Sequence, residues 1–360
     1  MAEPSASERA GPLPAAQSVP PRAVRLLQVG LGGWGRNWAK EVLPSVPEVQ
    51  PIGWVDVDPG SLQRAQVEAG IPGDACFASV EEAVRATVAE AILVTTSLPS
   101  HVQVVRLALE SGLHVLVEKP FAPSVAEAMP LVQLAEARGR VLMVSQNYRF
   151  HRVVRAVTEL VQAGSLGPVD EVHLDFRRYS GPDGGRRRHH DEEQPLLVDM
   201  SIHHFDLLRL VLGREPTRIY CRAWRPDGTH FAGPPVGDAI IEFDGGATVS
   251  YRGSWISAGA ATPWSGEWRM ECRQGEIRWT GRSDRATREH ELVTREPDGG
   301  EQRVDLAPLR FTDRAGALHE FADAILSGRT PESSGRDNLR TLALMEAAVA
   351  SATSGEPVSV

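Results

Sequence analysis

From Val24 onward, short apolar runs alternate with longer segments whose apolar positions recur at helical spacing. Val24–Val29 is an apolar run that stops at Gly30 and reads as a strand, and Trp34–Leu43 follows as a helix. Pro51–Val57 predicts a second strand, Ser79–Thr87 a helix, Ala91–Thr95 a buried strand and His101–Ser111 another helix. The series continues with a strand at His114–Val117, a helix at Ser124–Arg138 and a strand at Val141–Val144. Short strands alternating with helices imply a parallel sheet covered on both faces.

The pattern then changes. Val169–Tyr179, Thr217–Trp224, Asp238–Phe243 and Ala247–Trp255 alternate apolar and polar positions, and Asp244-Gly245-Gly246 between the last two reads as a hairpin turn. A further hairpin is expected from Glu267–Cys272 and Glu276–Trp279 around Gly275. One helix, near Leu197–Leu212, interrupts these strands, and two more, Arg314–Ser327 and Asp337–Thr353, close the chain. The predicted fold class is α/β. A doubly wound parallel sheet occupies residues 23–147, and an α+β domain with a large, mostly antiparallel open sheet occupies 148–360. Residues 1–22, rich in Pro, Ala and Ser, read as a disordered tail without the apolar core of a secretory signal. The run Asp183–Glu193 (DGGRRRHHDEE) has no periodicity and reads as a mobile, solvated loop.

A chain of 360 residues suits two domains with a sizeable core. Its net charge of −9 argues against a dedicated nucleic-acid or anionic-membrane partner, either of which would want a basic surface. No apolar run approaches the roughly 20 residues needed to span a bilayer. Cys76, Cys221 and Cys272 lie far apart and form neither a metal-binding pair nor a disulfide framework, which fits reduced, mostly buried thiols in a cytoplasmic protein. No His, Asp or Glu spacing fits a recognised metal site, so no metal is expected.

The chemistry begins at Gly30-Leu31-Gly32-Gly33-Trp34-Gly35, which fits G-x-G-x-x-G between a predicted strand and a predicted helix. Gly30 permits the tight turn, Gly32 lets the backbone approach a pyrophosphate, and Gly35 lets helix and strand pack closely. The helix N-terminus then offers unpaired N–H groups to the phosphates. Asp56, about 20 residues beyond the turn, suits the ribose hydroxyls and would repel a 2′-phosphate, favouring NAD(H) over a possible NADP(H).

Glu118-Lys119-Pro120 follows a predicted strand, where a doubly wound sheet opens its ligand crevice, so Lys119 is expected near the nicotinamide. If Asp199-Met200-Ser201-Ile202-His203-His204-Phe205-Asp206 is helical, Asp199 and His203 share one face. Lys, Asp and His converging on one pocket can relay a proton to or from a hydroxyl; an ordinary helix start, with Asp199 as a cap, is the competing reading. His204 would point about 100° away from His203, toward packing or the surface.

Together these features resemble the glucose–fructose oxidoreductase / inositol dehydrogenase / rhizopine catabolism (Gfo/Idh/MocA) family of NAD(P)-dependent dehydrogenases. The resemblance runs from about Val24 to the end of the chain. It rests on the glycine turn, Val117-Glu118-Lys119-Pro120, the Asp199…His203…Asp206 pattern, and an ending with Glu320-Phe321, Ala324-Ile325, Gly328, Pro331 and Gly355-Glu356-Pro357-Val358. It implies that Lys119 orients the substrate hydroxyl, that His203 is the acid/base, and that Asp199 binds substrate or tunes that pair. It places Gly30, Gly32, Gly33, Trp34, Gly35, Asp56, Thr95, Thr96, His101, Glu118 and Lys119 around the cofactor. The segment Gln146-Asn147-Tyr148-Arg149 falls where family members place contacting groups, so Arg149 either binds a substrate oxygen or holds the domain junction. The implied substrate is a sugar, cyclitol or related polar metabolite, with no nucleic-acid or membrane partner. The implied assembly is a homodimer or homotetramer through the open sheet, where Val249, Tyr251 and Trp255 alternate with Ser250, Arg252 and Ser254.

The chain departs from the family pattern before Asp199, where Gln194-Pro195-Leu196-Leu197-Val198 replaces a Gly-rich stretch, and at Ser201, where Gly is usual. The pocket floor therefore differs, and a familiar substrate is not implied. A redox-neutral cycle with retained NAD, serving an epimerase, lyase or glycosidase, uses the same machinery. A non-catalytic ligand-binding role is opposed by the intact Lys119, Asp199, His203 and glycine turn. Arg186-Arg187-Arg188-His189-His190 fits a solvated loop better than a phosphate clamp. Trp255 and Trp264 are expected to pack in the sheet rather than stack on a sugar.

Overall fold

The computed structural model describes residues 22–182, 185, 188–282 and 290–360. The N-terminal part runs β1 (Val24–Val29), α1 (Gly33–Asn37), β2 (Val49–Val55), α2 (Pro59–Ala69), β3 (Cys76–Phe77), α3 (Val80–Ala86), β4 (Ala91–Val94), α4 (Leu98–Glu110), β5 (His114–Val117), α5 (Val125–Ala137) and β6 (Leu142–Val144). These strands form a six-stranded parallel sheet in the order β3-β2-β1-β4-β5-β6. The order reverses between β1 and β4, which opens a crevice beyond their carboxyl ends.

Local chemistry sets the helix starts. Asp58 caps α2 by accepting from the Gly60 and Ser61 amides, with Pro59 at the first helical position. Ser79 and Ser124 cap α3 and α5 by accepting from the Glu82 and Glu127 amides. The sequence reading leaves α2 and β3 unassigned, although Asp58-Pro59 is itself a helix-start signal. The helix expected at Trp34–Leu43 is α1 continued by a wider π-type turn at Trp38–Val42.

The second part comprises α6 (Arg152–Gln162), β7 (Val169–Arg177), α7 (Ser201–Leu212), β8 (Pro216–Trp224), β9 (Val236–Phe243), β10 (Thr248–Ser254), β11 (Glu267–Cys272), β12 (Gly275–Thr280), β13 (Glu291–Arg295), β14 (Glu301–Arg303), α8 (Asp313–Ser327), α9 (Gly335–Ser354) and β15 (Val358–Ser359). Its nine-stranded sheet has the order β14-β13-β12-β11-β7-β10-β9-β8-β15. All pairings are antiparallel except β7 with β10. The fold is therefore the expected parallel sheet plus a large, mostly antiparallel one; α6, β13, β14 and β15 are additions to the sequence reading. Alternation along β9 puts Ala239, Ile241 and Phe243 into the core and Ile240 outward, beside exposed Tyr220 of β8.

Two features join the halves. Helix α8 turns back onto the parallel sheet, where Ala317, Leu318, Phe321 and Ala322 pack on Leu26, Leu93, Leu116 and Met143. The second is a buried ion-pair network below the crevice. Arg149 leaves the parallel sheet on a short turn (Asn147–Phe150) and donates through Nε and Nη2 to both Asp206 carboxylate oxygens, each at 2.6 Å. It also donates to Asp337 of α9 at 2.8 Å and to the Glu332 carbonyl at 2.8 Å. Arg209 reaches Asp337 and Glu215, and Thr341 donates to Asp206 at 3.1 Å. Every hydrogen bond Arg149 makes is internal and it lies off the cavity wall, so of its two expected roles the structure supports the junction rather than substrate contact. Removing one member strands the other charge in the interior, so Arg149→Met is expected to cost about 3–5 kcal/mol of stability in urea unfolding. A loss below about 1 kcal/mol would contradict this reading.

Candidate active site

A cavity of about 1150 Å³ lies between the two sheets, at the carboxyl ends of β4 and β5. At its mouth the glycine turn is shaped by close approach. Gly30 has φ +90°, and a Cβ there would sit 2.6 Å from the Thr96 amide. A Cβ on Gly35 would fall 1.8 Å from the Gly30 carbonyl oxygen, whereas at Gly32 or Gly33 it would meet nothing within 4 Å. The turn is therefore closed toward the protein and open outward, the cradle a dinucleotide pyrophosphate needs. Thr95 braces it from β4, its hydroxyl donating to the Gly30 carbonyl at 2.7 Å.

Asp56 follows β2 and lies off the cavity wall, beside the turn. Its Oδ2 accepts from the Leu31 amide at 2.6 Å and its Oδ1 from the Asp58 amide at 2.9 Å, leaving lone pairs for ribose hydroxyls. Trp34 and Glu118 meet at the wall. The indole N–H groups of Trp34 and Trp38 both donate to Glu118 Oε1 at 2.8 Å, and burial pushes the Glu118 carboxyl up despite these bonds and the nearby Lys119. His101, also on the wall, lies 2.8 Å from the Pro120 carbonyl and 3.2 Å from that of Thr96. Burial holds its imidazole below the usual range.

Lys119, Asp199 and His203 converge deeper in the cavity. Lys119 Nζ donates to Asp199 Oδ1 at 3.0 Å and to the Asp199 carbonyl at 2.6 Å. Asp199 does not lie on the helix with His203, as the i, i+4 expectation required. Its carbonyl is taken by Lys119, the His203 amide turns to Met200 at 3.1 Å, and α7 begins only at Ser201. Burial opposes ionisation of Asp199, but Lys119, with His189 and Arg188 beyond it, outweighs burial and holds the carboxyl below its usual range.

His203 is buried on the first turn of α7. Its ring lies parallel to Tyr148, with centroids 4.0 Å apart and planes 4° off. Burial, followed by the charges of Lys119 and Arg282, drives its imidazole well below the usual range. Its Nδ1 is buried with no hydrogen-bond partner. His204 points elsewhere, donating through Nε2 to the Trp264 carbonyl at 3.0 Å and meeting the Tyr251 hydroxyl at 3.2 Å, so it is a packing residue.

Other walls were less visible in the sequence. Arg282, at the end of β12 in no recognisable motif, lines the cavity against Tyr148. Asn147 and Tyr148 also face it, unlike their neighbour Arg149. Asp183, Gly184, Arg186 and Arg187 lie outside the described residues, but Arg188–His190 is ordered rather than a free loop. His190 is buried, and the Ser180 hydroxyl lies 2.8 Å from Nε2 of both His189 and His190. Trp255 packs edge-on against Phe176 at 5.1 Å, and both tryptophans also line the cavity.

A glycine cradle on a doubly wound sheet, feeding a pocket with a lysine, a carboxylate and a neutral histidine, defines a nicotinamide-dependent oxidoreductase. Residues 24–146 match the oxidoreductase family with an NAD-binding Rossmann fold, and residues 154–278 match the Gfo/Idh/MocA C-terminal domain. The chain belongs to that family. It is 28% identical over 346 residues to the uncharacterized protein y4oX of Sinorhizobium fredii, covering 93% of this chain and 95% of that one. It is also 28% identical over 336 residues to inositol 2-dehydrogenase 4 of Saccharopolyspora erythraea, covering 92% and 95%. In fold it resembles an oxidoreductase from Agrobacterium radiobacter solved with NAD+, L-tartaric acid and magnesium, with TM-score 0.83, 23% identity and coverage of 93% and 98%. Among the described residues, no helix is long and apolar enough to cross a membrane.

The buried imidazoles make stability depend on pH. His114, His151 and His204 are pushed down to about 4, chiefly by burial, and His101 and His203 are lowered as well. Between those values and the ordinary 6.5, the unfolded chain binds more protons than the native one, so stability is full above about pH 6.5 and is lost as pH falls toward 4. His204 alone accounts for about 2 kcal/mol of loss by pH 5. Glu118, Glu192 and Asp238, whose carboxyls are raised chiefly by burial, act in the opposite sense but are fewer than the five lowered imidazoles. Urea unfolding at pH 7.5, 6 and 5 is expected to show a steady fall; stability that is flat or rising toward pH 5 would refute the assignment.

Proposed function

We propose that this chain is an NAD(H)-dependent dehydrogenase or ketoreductase. It would move a hydride between nicotinamide C4 and a hydroxyl-bearing carbon of a sugar, cyclitol or related polar metabolite. The observation that carries this reading is the convergence of Lys119, Asp199 and His203 on one cavity that Trp34 of the glycine turn also lines. The names of the inositol dehydrogenase relatives agree with a polyol substrate. When bound, the nicotinamide supplies the hydride acceptor or donor.

The residues divide the remaining work. Asp199 takes one Lys119 N–H through its carboxylate and another through its carbonyl, which aims the ammonium into the cavity with a donor to spare. That donor binds the substrate oxygen and stabilises negative charge developing on it. His203, held neutral by burial and by nearby cations, accepts the hydroxyl proton in oxidation and returns it in reduction. Asp56 binds the adenosine ribose and disfavours a 2′-phosphate, so NAD(H) is preferred over NADP(H). For self-association we assign the open face of the nine-stranded sheet, where Tyr220 and Ile240 stand exposed side by side; a monomer in sedimentation would reject that assignment.

Two sets of variants test the reading. His203→Ala and Lys119→Met are expected to lose about 10²–10⁴-fold in turnover on a panel of polyols and keto-sugars, with NADH affinity by fluorescence changed by less than about threefold, or under 1 kcal/mol. Full turnover in either folded, cofactor-binding variant would end the proposal. Gly32→Ala is expected to fold normally yet bind NADH at least about tenfold more weakly, because its methyl occupies the cradle. Normal binding would place the cofactor elsewhere.

A further inference from the structure

Among the described residues, two non-glycine residues have left-handed backbone: Arg282 (φ 52°) and Asp313 (φ 55°). Such conformations are sterically costly and persist where surrounding structure enforces them, often beside a working site. These two residues, 31 positions apart, are bonded to each other, Arg282 Nε donating to Asp313 Oδ2 at 3.1 Å. Neither is held loosely. The Arg282 carbonyl accepts from the Trp264 amide at 3.1 Å, and its own amide donates to His290 Nδ1 at 3.3 Å. Asp313 accepts from the Asn147 side chain, and its carboxylate lies 3.9 Å from His151 Nε2.

From this anchored position the guanidinium reaches Tyr148. Its carbon lies 4.6 Å from the ring centroid, and Nη1 donates to the Tyr148 hydroxyl at 3.2 Å. Tyr148 in turn lies flat against His203 at 4.0 Å. The line Asp313–Arg282–Tyr148–His203 therefore runs from a strained, half-buried ion pair to the imidazole. We infer that Arg282 is a positioning residue: anchored by Asp313, it clamps the Tyr148 ring against His203 and brings a permanent positive charge to the tyrosine that covers the imidazole, so that the imidazole is fixed in plane.

The physical case rests on what surrounds His203. Lys119 faces it from the loop after β5, its charge partly answered by Asp199; Tyr148 faces it from the turn before α6; His204 is its neighbour on α7; Arg282 faces it from beyond β12. Arg282 cannot lose its charge at any working pH, and the buried Tyr148 hydroxyl, pushed up to about 12, stays protonated. Arg282 also has N–H groups beyond the two used on Asp313 and Tyr148, and the planar fork lets it bond both while lying against the ring. A lysine would keep the charge and lose the clamp.

The inference rests on the reading of His203 as the acid/base, so its test follows the imidazole directly. The protein is labelled at histidine, the His203 ring signal is identified by its loss in His203→Gln, and its titration is followed by NMR from pH 8 down to the lowest pH at which the protein stays folded, read as the pH at which protonation begins where the midpoint lies lower. In Arg282→Gln the His203 midpoint is expected to rise by about one pH unit. The acid limb of kcat/KM for alcohol oxidation is expected to rise with it. A His203 signal in the variant that titrates as in the wild type would overturn the inference, whatever happens to stability. If Arg282→Gln does not accumulate folded, Arg282→Lys decides: a midpoint near the wild-type value with kcat lowered about fivefold or more, about 1 kcal/mol, is expected, and unchanged kcat overturns the clamp. A midpoint that moves in Arg282→Gln while His203→Ala keeps full turnover would uphold the action of Arg282 on the imidazole and reject the acid/base reading.

Discussion

The Arg149–Asp206 ion pair sets the geometry on which the site depends. Arg149 follows Tyr148 in the chain, and Asp206 lies three residues beyond His203 on α7. Residues three apart on a helix share a face. Binding Arg149 to Asp206 through two 2.6 Å bonds therefore fixes the register in which Tyr148 meets His203. Asp337 and Arg209 extend the constraint to α9. The charges are costly to bury singly, so the network is all-or-none, and that makes it an accurate spacer.

Burial has a second consequence at the pocket. The environment that disfavours the His203 imidazolium also strengthens the Lys119–Asp199 bond, because both act where water is scarce. The pocket thus holds a neutral base beside an ammonium whose direction is fixed. Lys119 is one of the reasons the imidazole stays neutral.

Cofactor turn and substrate pocket share one peptide unit. Glu118 holds the indoles of Trp34 and Trp38, and its neighbour Lys119 reaches Asp199. Both residues follow β5 and line the cavity, Glu118 bonded to the tryptophans of the first helix and Lys119 to Asp199. A shift of the turn is carried to the lysine through a single backbone link.

The local elements were legible because their signals are local. The β–α alternation, the glycine turn, the hairpin at Asp244–Gly246 and the Glu118-Lys119 strand end each follow from side-chain periodicity or backbone sterics within a few residues. Pairing Lys119 with Asp199 and His203 was legible as a motif, although the helix assumed to align them was wrong: a lysine 80 positions away takes the carbonyl that would have extended it. What only the tertiary structure decided are the long-range partners. Arg149 was ambiguous between substrate and junction until Asp206 and Asp337 were found to occupy it. Arg282 carried no signal and Asp313 only the weak tolerance of Asp for left-handed backbone, and their bond spans two elements far apart in sequence. Sequence periodicity reports which face of an element is apolar; it does not report which charge meets which across the core, because that depends on how the sheets and helices pack.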